Sequence, residues 1–253
     1  MSTQNRKKIN YLITHWERGV IYTQKYLSRL GYNKDLIKKY FKNNWIERIG
    51  RGAFILKNDD IDWLGGVYTL QKQLNFNINI SARTALELQG YGHYVYVGKN
   101  KQYLSGRHNI QLPMWFKNYS WDVKYLYKTT SLFPDKLETS FTYIIHKTFK
   151  VKISSPERAI LEMLHIVPYE QSFDETSKIM ENLMTLRPAL LDQLLINCNS
   201  IKVKRMFLYL AENLNMPWFD ELSLEQIYLG KGKRSIVKNG RYDPKYKITV
   251  PQL

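Results

Sequence analysis

The sequence predicts an α+β protein: an N-terminal winged helix-turn-helix, then a larger mixed α+β domain with a helical segment and a C-terminal basic hairpin. Three observations predict it. Apolar residues recur at helical spacing in three short segments that each stop at a turn, and an alternating segment around Gly50-Arg51-Gly52 follows. An acidic, turn-prone Asn58-Asp59-Asp60 then separates this region from one where strand and helix patterns mix. The positive charge of the chain is concentrated at its two ends.

Taking the elements in order, Asn5 to Arg18 carries Ile9, Leu12, Ile13 and Trp16 at helical spacing, and Gly19 ends it. Tyr22 to Leu30 is a second helix, stopped by Gly31. Asn33 is placed to cap a third, Lys34 to Asn43, with Leu36, Ile37, Tyr40 and Phe41 on its apolar face and Lys34, Lys38, Lys39 and Lys42 on the other. Ile46 to Leu56 alternates about a glycine turn, as a two-stranded wing requires. These elements define a first domain over 1–57, and 61–253 form the second.

In the second domain Trp63 to Leu74 and Ala82 to Leu88 read as helices. Tyr94 to Val97, Val123 to Tyr127, Phe141 to Ile145 and Phe149 to Ile153 read as strands. Ser155-Pro156-Glu157 supplies a cap, a proline at the first helical position and an acid in the first turn, so a helix runs from Pro156 to His165. Phe173 to Leu186, Ala189 to Ile196 and Lys202 to Leu214 continue the helices. Ser235 to Val250 returns to strand, with a turn at Asn239-Gly240.

The chain has 253 residues, enough for two cored domains, and its 44% hydrophobic content is that of a globular protein. Its net charge of +16 calls for a polyanionic partner. Through Lys57 there are thirteen basic residues against Glu17, Asp35 and Glu47, a net of +10, and from Lys231 seven against Asp243, a net of +6. The stretch between is neutral. A single cysteine, Cys198, removes an internal disulfide framework and a cysteine zinc site, which fits a reducing cytoplasm. No apolar run has the length of a signal-peptide core or a membrane span, so neither export nor a membrane partner is expected.

The strongest functional signal is the third helix, one face of which packs while the other is cationic, next to a wing bearing Arg48 and Arg51. A lysine face is more often plain solvated surface, but the glycine turn and the basic wing favour duplex DNA. Lys34, Lys38, Lys39, Lys42, Arg48 and Arg51 are the phosphate-binding candidates, and Thr23, Gln24, Tyr32 and Asn33 the polar readers, each of which also suits a cap or turn. In the tail, Lys231, Lys233, Arg234, Lys238 and Arg241 suit nucleic-acid or partner contact and equally a solvated strand edge. Neither Gly230-Lys231-Gly232-Lys233-Arg234 nor Gly98-Lys99-Asn100 has Walker A spacing. The five histidines are scattered, and Asp122-Val123-Lys124 alone approaches a nuclease spacing, so no catalytic residue, metal site or cofactor is expected.

Several short blocks, in order along nearly the whole chain, resemble the AbiEi antitoxin family of type IV toxin–antitoxin systems. They are Arg18-Gly19-Val20 with Thr23; Leu27 through Gly31; Asn44-Trp45-Ile46-Glu47-Arg48-Ile49-Gly50-Arg51-Gly52-Ala53-Phe54; Ser81-Ala82-Arg83-Thr84-Ala85-Leu86-Glu87-Leu88-Gln89-Gly90-Tyr91-Gly92-His93-Tyr94; Ser154-Ser155-Pro156-Glu157-Arg158-Ala159; and Gly232-Lys233-Arg234 through Tyr246-Lys247-Ile248-Thr249-Val250-Pro251. Asn44 stands where the family often has glycine, and Phe54 where it often has tyrosine. The resemblance implies a winged helix-turn-helix that binds repeats in the operon's own promoter, and a second domain that neutralises a nucleotidyltransferase toxin by contact or functionally. Two other functions compete with this expectation: a plain winged-helix transcription factor whose second domain senses a ligand or dimerises, and, further off, a nucleic-acid-processing enzyme. The sequence sets no oligomeric state.

Overall fold

A computed structural model describes residues 3–92, 101–134 and 137–251 of the chain. Helix α1 (Thr3–His15) leads to a two-residue strand β1 (Tyr22–Thr23), helices α2 (Gln24–Arg29) and α3 (Lys34–Lys42), and strands β2 (Ile46–Gly50) and β3 (Ala53–Leu56). The strands form an antiparallel sheet in the order β1-β3-β2. This is the element order of a winged helix-turn-helix, with β2 and β3 as the wing. Ile9, Leu12, Leu27, Leu36, Ile37, Tyr40, Ile46 and Leu56 are buried in it.

Two boundaries differ from expectation. Helix α1 ends at His15 rather than Arg18, and beyond it Trp16 is buried, its indole N–H donated to the Val20 carbonyl at 3.1 Å and its ring stacked on Tyr22 at 4.0 Å. Tyr22 and Thr23 do not open the second helix. They extend as β1 opposite Phe54 and Ala53, and Thr23 then caps α2 by accepting from the Tyr26 N–H.

The chain divides into two compact units, 1–79 with 109–124 and 143–152, and 80–108 with 125–142 and 153–251. The first unit is therefore discontinuous in sequence. Distant stretches of sequence complete it, which no local pattern reveals. Within it, helix α4 (Trp63–Lys72) fastens β1. The Thr69 hydroxyl and the Gln73 amide both donate to the Ile21 carbonyl, at 2.8 and 2.7 Å, and Gln73 Oε1 accepts from the Thr23 N–H at 2.9 Å. Asp62 caps α4 through the Gly65 N–H and accepts from His146 at 2.6 Å. Burial opposes the Asp62 charge, yet the bonds from His146 and Gly65, with Lys147 nearby, hold its pKa below the usual carboxylate value.

The remaining strands are β4 (Ile78–Ile80), β5 (Lys101–Gly106), β6 (Lys124–Thr129), β7 (Phe141–His146) and β8 (Phe149–Ser154), in the sheet order β6-β5-β4-β8-β7. The helices are α5 (Ala82–Leu88), α6 (Met114–Asn118), α7 (Pro156–Ile166), α8 (Phe173–Glu181), α9 (Pro188–Asn197) and α10 (Ile201–Asn213). Strands β4 and β5 and helix α6 were not anticipated; the expected strand Tyr94 to Val97 lies outside the described residues, as do His93 and Gly98-Lys99-Asn100. In the second unit α7 is buried from Glu157 to Leu164, and its charges are paired. Glu162 accepts from Arg158 at 2.8 Å, Ser154 at 2.6 Å and the Ala82 N–H at 3.1 Å, while Glu157 forms a two-bond pair with Arg187.

The tail is not a simple hairpin. Strands β9 (Arg234–Ser235), β10 (Arg241–Asp243) and β11 (Ile248–Val250) form a sheet in the order β10-β11-β9, with β9 parallel to β11. The hairpin is β10 to β11, turning through 244–247, and Asn239-Gly240 lies in the bend between β9 and β10. Among the described residues no helix is long and apolar enough to cross a membrane.

Among the described residues one side-chain polar atom of the first unit is buried without a partner, the Tyr40 hydroxyl, whose pKa burial pushes up to about 12. Gln73→Leu, which strands the Thr23 N–H, is expected to destabilise the chain by about 1–3 kcal/mol, whereas Tyr40→Phe removes a desolvated hydroxyl that makes no bond. Thermal unfolding should therefore show a lower Tm for the first and an equal or higher one for the second. The reverse order would contradict these assignments.

Candidate nucleic-acid interface

The candidate interface comprises the turn between α2 and α3, α3 itself and the wing. Gly31 occupies the turn, and Asn33 caps α3 by accepting from the Leu36 N–H at 2.9 Å. Leu36, Ile37 and Tyr40 bury one side of the helix, so Lys34, Lys38, Lys39 and Lys42 are exposed. Lys34 is the first helical residue, a position where the helix dipole disfavours a cation by about 0.3–1 kcal/mol unless an anion is near. Lys42 in the last turn is placed where the dipole favours it.

On the wing, Gly52 turns the chain at φ +71, a left-handed conformation that side chains rarely adopt. Gly50 lies against α6: a Cβ there would fall 2.7 Å from that of Trp115. A wing so supported places Arg48 and Arg51 in one groove with residues of α3. Gln24, Lys34, Lys38, Arg48 and Arg51 line one open groove of about 360 Å³, floored by Ile37 and Phe54 and flanked by Phe41. None of the four cations is in an ion pair among the described residues. Lys57, by contrast, is neutralised by Glu47 at 2.7 Å, and that bond, with the Asn58 N–H, holds the Glu47 pKa low. A groove lined by four cations without ion-pair partners among the described residues and by one carboxamide has the charge that suits a polyanion.

The expected readers separate in this geometry. Gln24 is in the groove and Asn33 is exposed but spent as a cap. Thr23, 4% exposed, and Tyr32, 6% exposed, are not available to bases, because one caps α2 and the other donates its hydroxyl to the Lys8 carbonyl. Lys39 and Lys42 are exposed outside the groove lining. Phe41, assigned by pattern to the packed face, is 45% exposed and belongs to the groove instead. Its spacing points both ways, since Phe41 follows Ile37 of the packed face by four residues and Lys38 of the exposed face by three.

Two family models account for the chain almost end to end: residues 5–97 match one described as "Transcriptional regulator, AbiEi antitoxin N-terminal domain", and 99–251 match "Transcriptional regulator, AbiEi antitoxin, Type IV TA system". The chain belongs to the AbiEi antitoxin family. AbiEi proteins are thus described as transcriptional regulators of type IV toxin–antitoxin systems, and the N-terminal model contains the whole groove. The fold is also similar to the crystal structure of the RV2827C protein from Mycobacterium tuberculosis, with a TM-score of 0.59 at 12% identity over 98% of this chain and 91% of that one. Among curated proteins none matches.

The second AbiEi model contains the basic tail. Lys231, Lys233, Arg234, Lys238 and Arg241 are all exposed, and Lys233 lies over the Tyr242 ring at 4.9 Å. The loop at Gly230 to Gly232 has no phosphate-loop chemistry. Its carbonyls turn inward, where the buried Arg205 guanidinium donates to Leu229, Gly230, Gly232 and Lys247 oxygens at 2.7–3.0 Å. Asp122 is exposed in a bend before β6, and among the described residues no three His, Cys, Asp or Glu side chains are grouped to hold a metal ion.

With about four phosphates neutralised, the logarithm of duplex-DNA affinity should fall with log salt at a slope near −3.6. Lys38→Glu is expected to weaken binding at least about tenfold and flatten that slope by about one, and Lys39→Glu to do much less. Equal effects of the two substitutions, measured by fluorescence anisotropy across salt, would dissociate binding from the groove.

Proposed function

We propose that this chain is an autoregulatory antitoxin, which represses its own promoter by binding duplex DNA in the groove between α3 and the wing and which counteracts a nucleotidyltransferase toxin. The observation that carries the DNA-binding part is the convergence of Lys34, Lys38, Arg48 and Arg51, without ion-pair partners among the described residues, on one groove in winged-helix order. Membership of a family of transcriptional regulators supports the same reading. The antitoxic part rests on that membership. DNA binding is assigned to residues 1–57 and antitoxicity to 61–253, in a cytoplasmic protein with no catalytic activity of its own. The exposed tail cations, Lys231 to Arg241, suit a further nucleic-acid or partner contact.

A ligand-sensing regulator is the less supported alternative. The family models describe an antitoxin rather than a ligand sensor.

Because the first compact unit draws on three stretches of sequence, the test uses the full chain. Wild type and the double variant Lys38→Glu, Arg51→Glu are co-expressed with the nucleotidyltransferase of the same operon, scoring growth and promoter output separately. The wild type should restore growth and repress; the variant should restore growth without repressing. A wild type that leaves the toxin active removes the antitoxin reading, and full repression by the variant removes the groove as the operator site.

A further inference from the structure

Phe41 is not explained by phosphate binding. Its ring is 45% exposed on the groove side of α3, seven residues after Lys34 and three after Lys38, so the three share one helical face. Leu36, Ile37 and Tyr40 form the buried side of the helix without it. Ile37 and Phe54, 1% and 7% exposed, form the apolar floor of the same groove, so the ring is backed by packed side chains. Phosphates gain nothing from an aromatic ring, and a ring ringed by cations is matched only by an apolar feature of the bound DNA. In the major groove the apolar group that base pairs display is the C5 methyl of thymine.

Gln24 opens on the same groove from the first residue of α2. One amide hydrogen bonds the Ser28 hydroxyl at 3.3 Å, which orients the carboxamide and leaves its oxygen and second N–H for a base edge. An amide oxygen beside an amide N–H complements adenine N6–H and N7.

We propose that Phe41 and Gln24 are the specificity-determining residues of the groove, Phe41 reading a thymine methyl and Gln24 an adenine edge. This rests on the duplex-DNA reading above and adds to it the bases that are read. Phosphate contacts from the basic residues around them supply affinity for any sequence, and these two side chains add discrimination through the bases they meet.

The test compares the promoter duplex with one in which deoxyuridine replaces every thymidine, a change that removes the C5 methyls and keeps every hydrogen-bonding group. The full-length wild type should prefer the thymidine duplex by about fourfold for each methyl contacted. Phe41→Ala should bind the two duplexes equally, and Phe41→Leu should retain part of the preference. Lys38→Gln should weaken both alike and keep the ratio. Equal affinity of the wild type for the two duplexes, or an undiminished preference in Phe41→Ala, overturns the proposal while leaving DNA binding intact. Absence of salt-sensitive binding to either duplex overturns the DNA reading itself.

Discussion

Two side chains, Thr69 of α4 and Gln73 at its C-terminal cap, hold the backbone from which the geometry of the groove follows, through bonds to the Ile21 carbonyl and the Thr23 N–H. These are buried polar groups, each costing about 1–3 kcal/mol if left unpaired, so the position of β1 is tightly determined. Everything at the groove is built out from that strand. Tyr22 and Thr23 pair with Phe54 and Ala53 of the wing, and the Gln24 N–H donates to the Gly52 carbonyl at 2.8 Å. Thr23 is at once the end of the strand and the cap of α2, so wing and helix-turn-helix are registered at the junction of Tyr22, Thr23 and Gln24. The contact of α6 with Gly50 fixes the wing from its other side. Groove width, and with it the spacing of Lys38 from Arg48 and Arg51, is therefore a property of the whole first unit.

In the second unit the same principle operates on charge. Glu157, Arg158, Glu162 and Arg205 are buried, and each is matched by a partner of fixed geometry. Arg158 also lies over the Phe133 and Phe141 rings, at 4.7 and 4.3 Å. Ala82 holds a left-handed φ of 48 where its N–H meets Glu162. Arg205 turns the carbonyls of the tail loop inward and leaves the lysines outside, so the exposed charge of the tail depends on a buried charge beneath it.

Local chemistry was legible in the sequence wherever a short-range rule decided the outcome. Ser155 before Pro156 and Asn33 before Lys34 both cap helices in the structure, and Arg51-Gly52 makes the wing turn. The unread parts were decided at long range. Tyr22 and Thr23 fit a helix by spacing, but pairing with β3 and the bond to Gln73 draw them into a strand. Thr23 and Tyr32 look like base readers by residue type and are buried by bonds to Tyr26 and Lys8. The parallel pairing of β9 with β11 and the three-part first unit join stretches far apart in sequence, which periodicity does not register. Phe41 misled by hydrophobicity alone.

The central claim, that the groove between α3 and the wing is the DNA-binding surface, is tested most directly by amide hydrogen exchange of the full chain with and without its promoter duplex. Slower exchange on DNA addition should concentrate in 24–42 and 46–54. Protection confined to 231–250, with the wing tip at Arg51 and Gly52 exchanging as in the free protein, would contradict it.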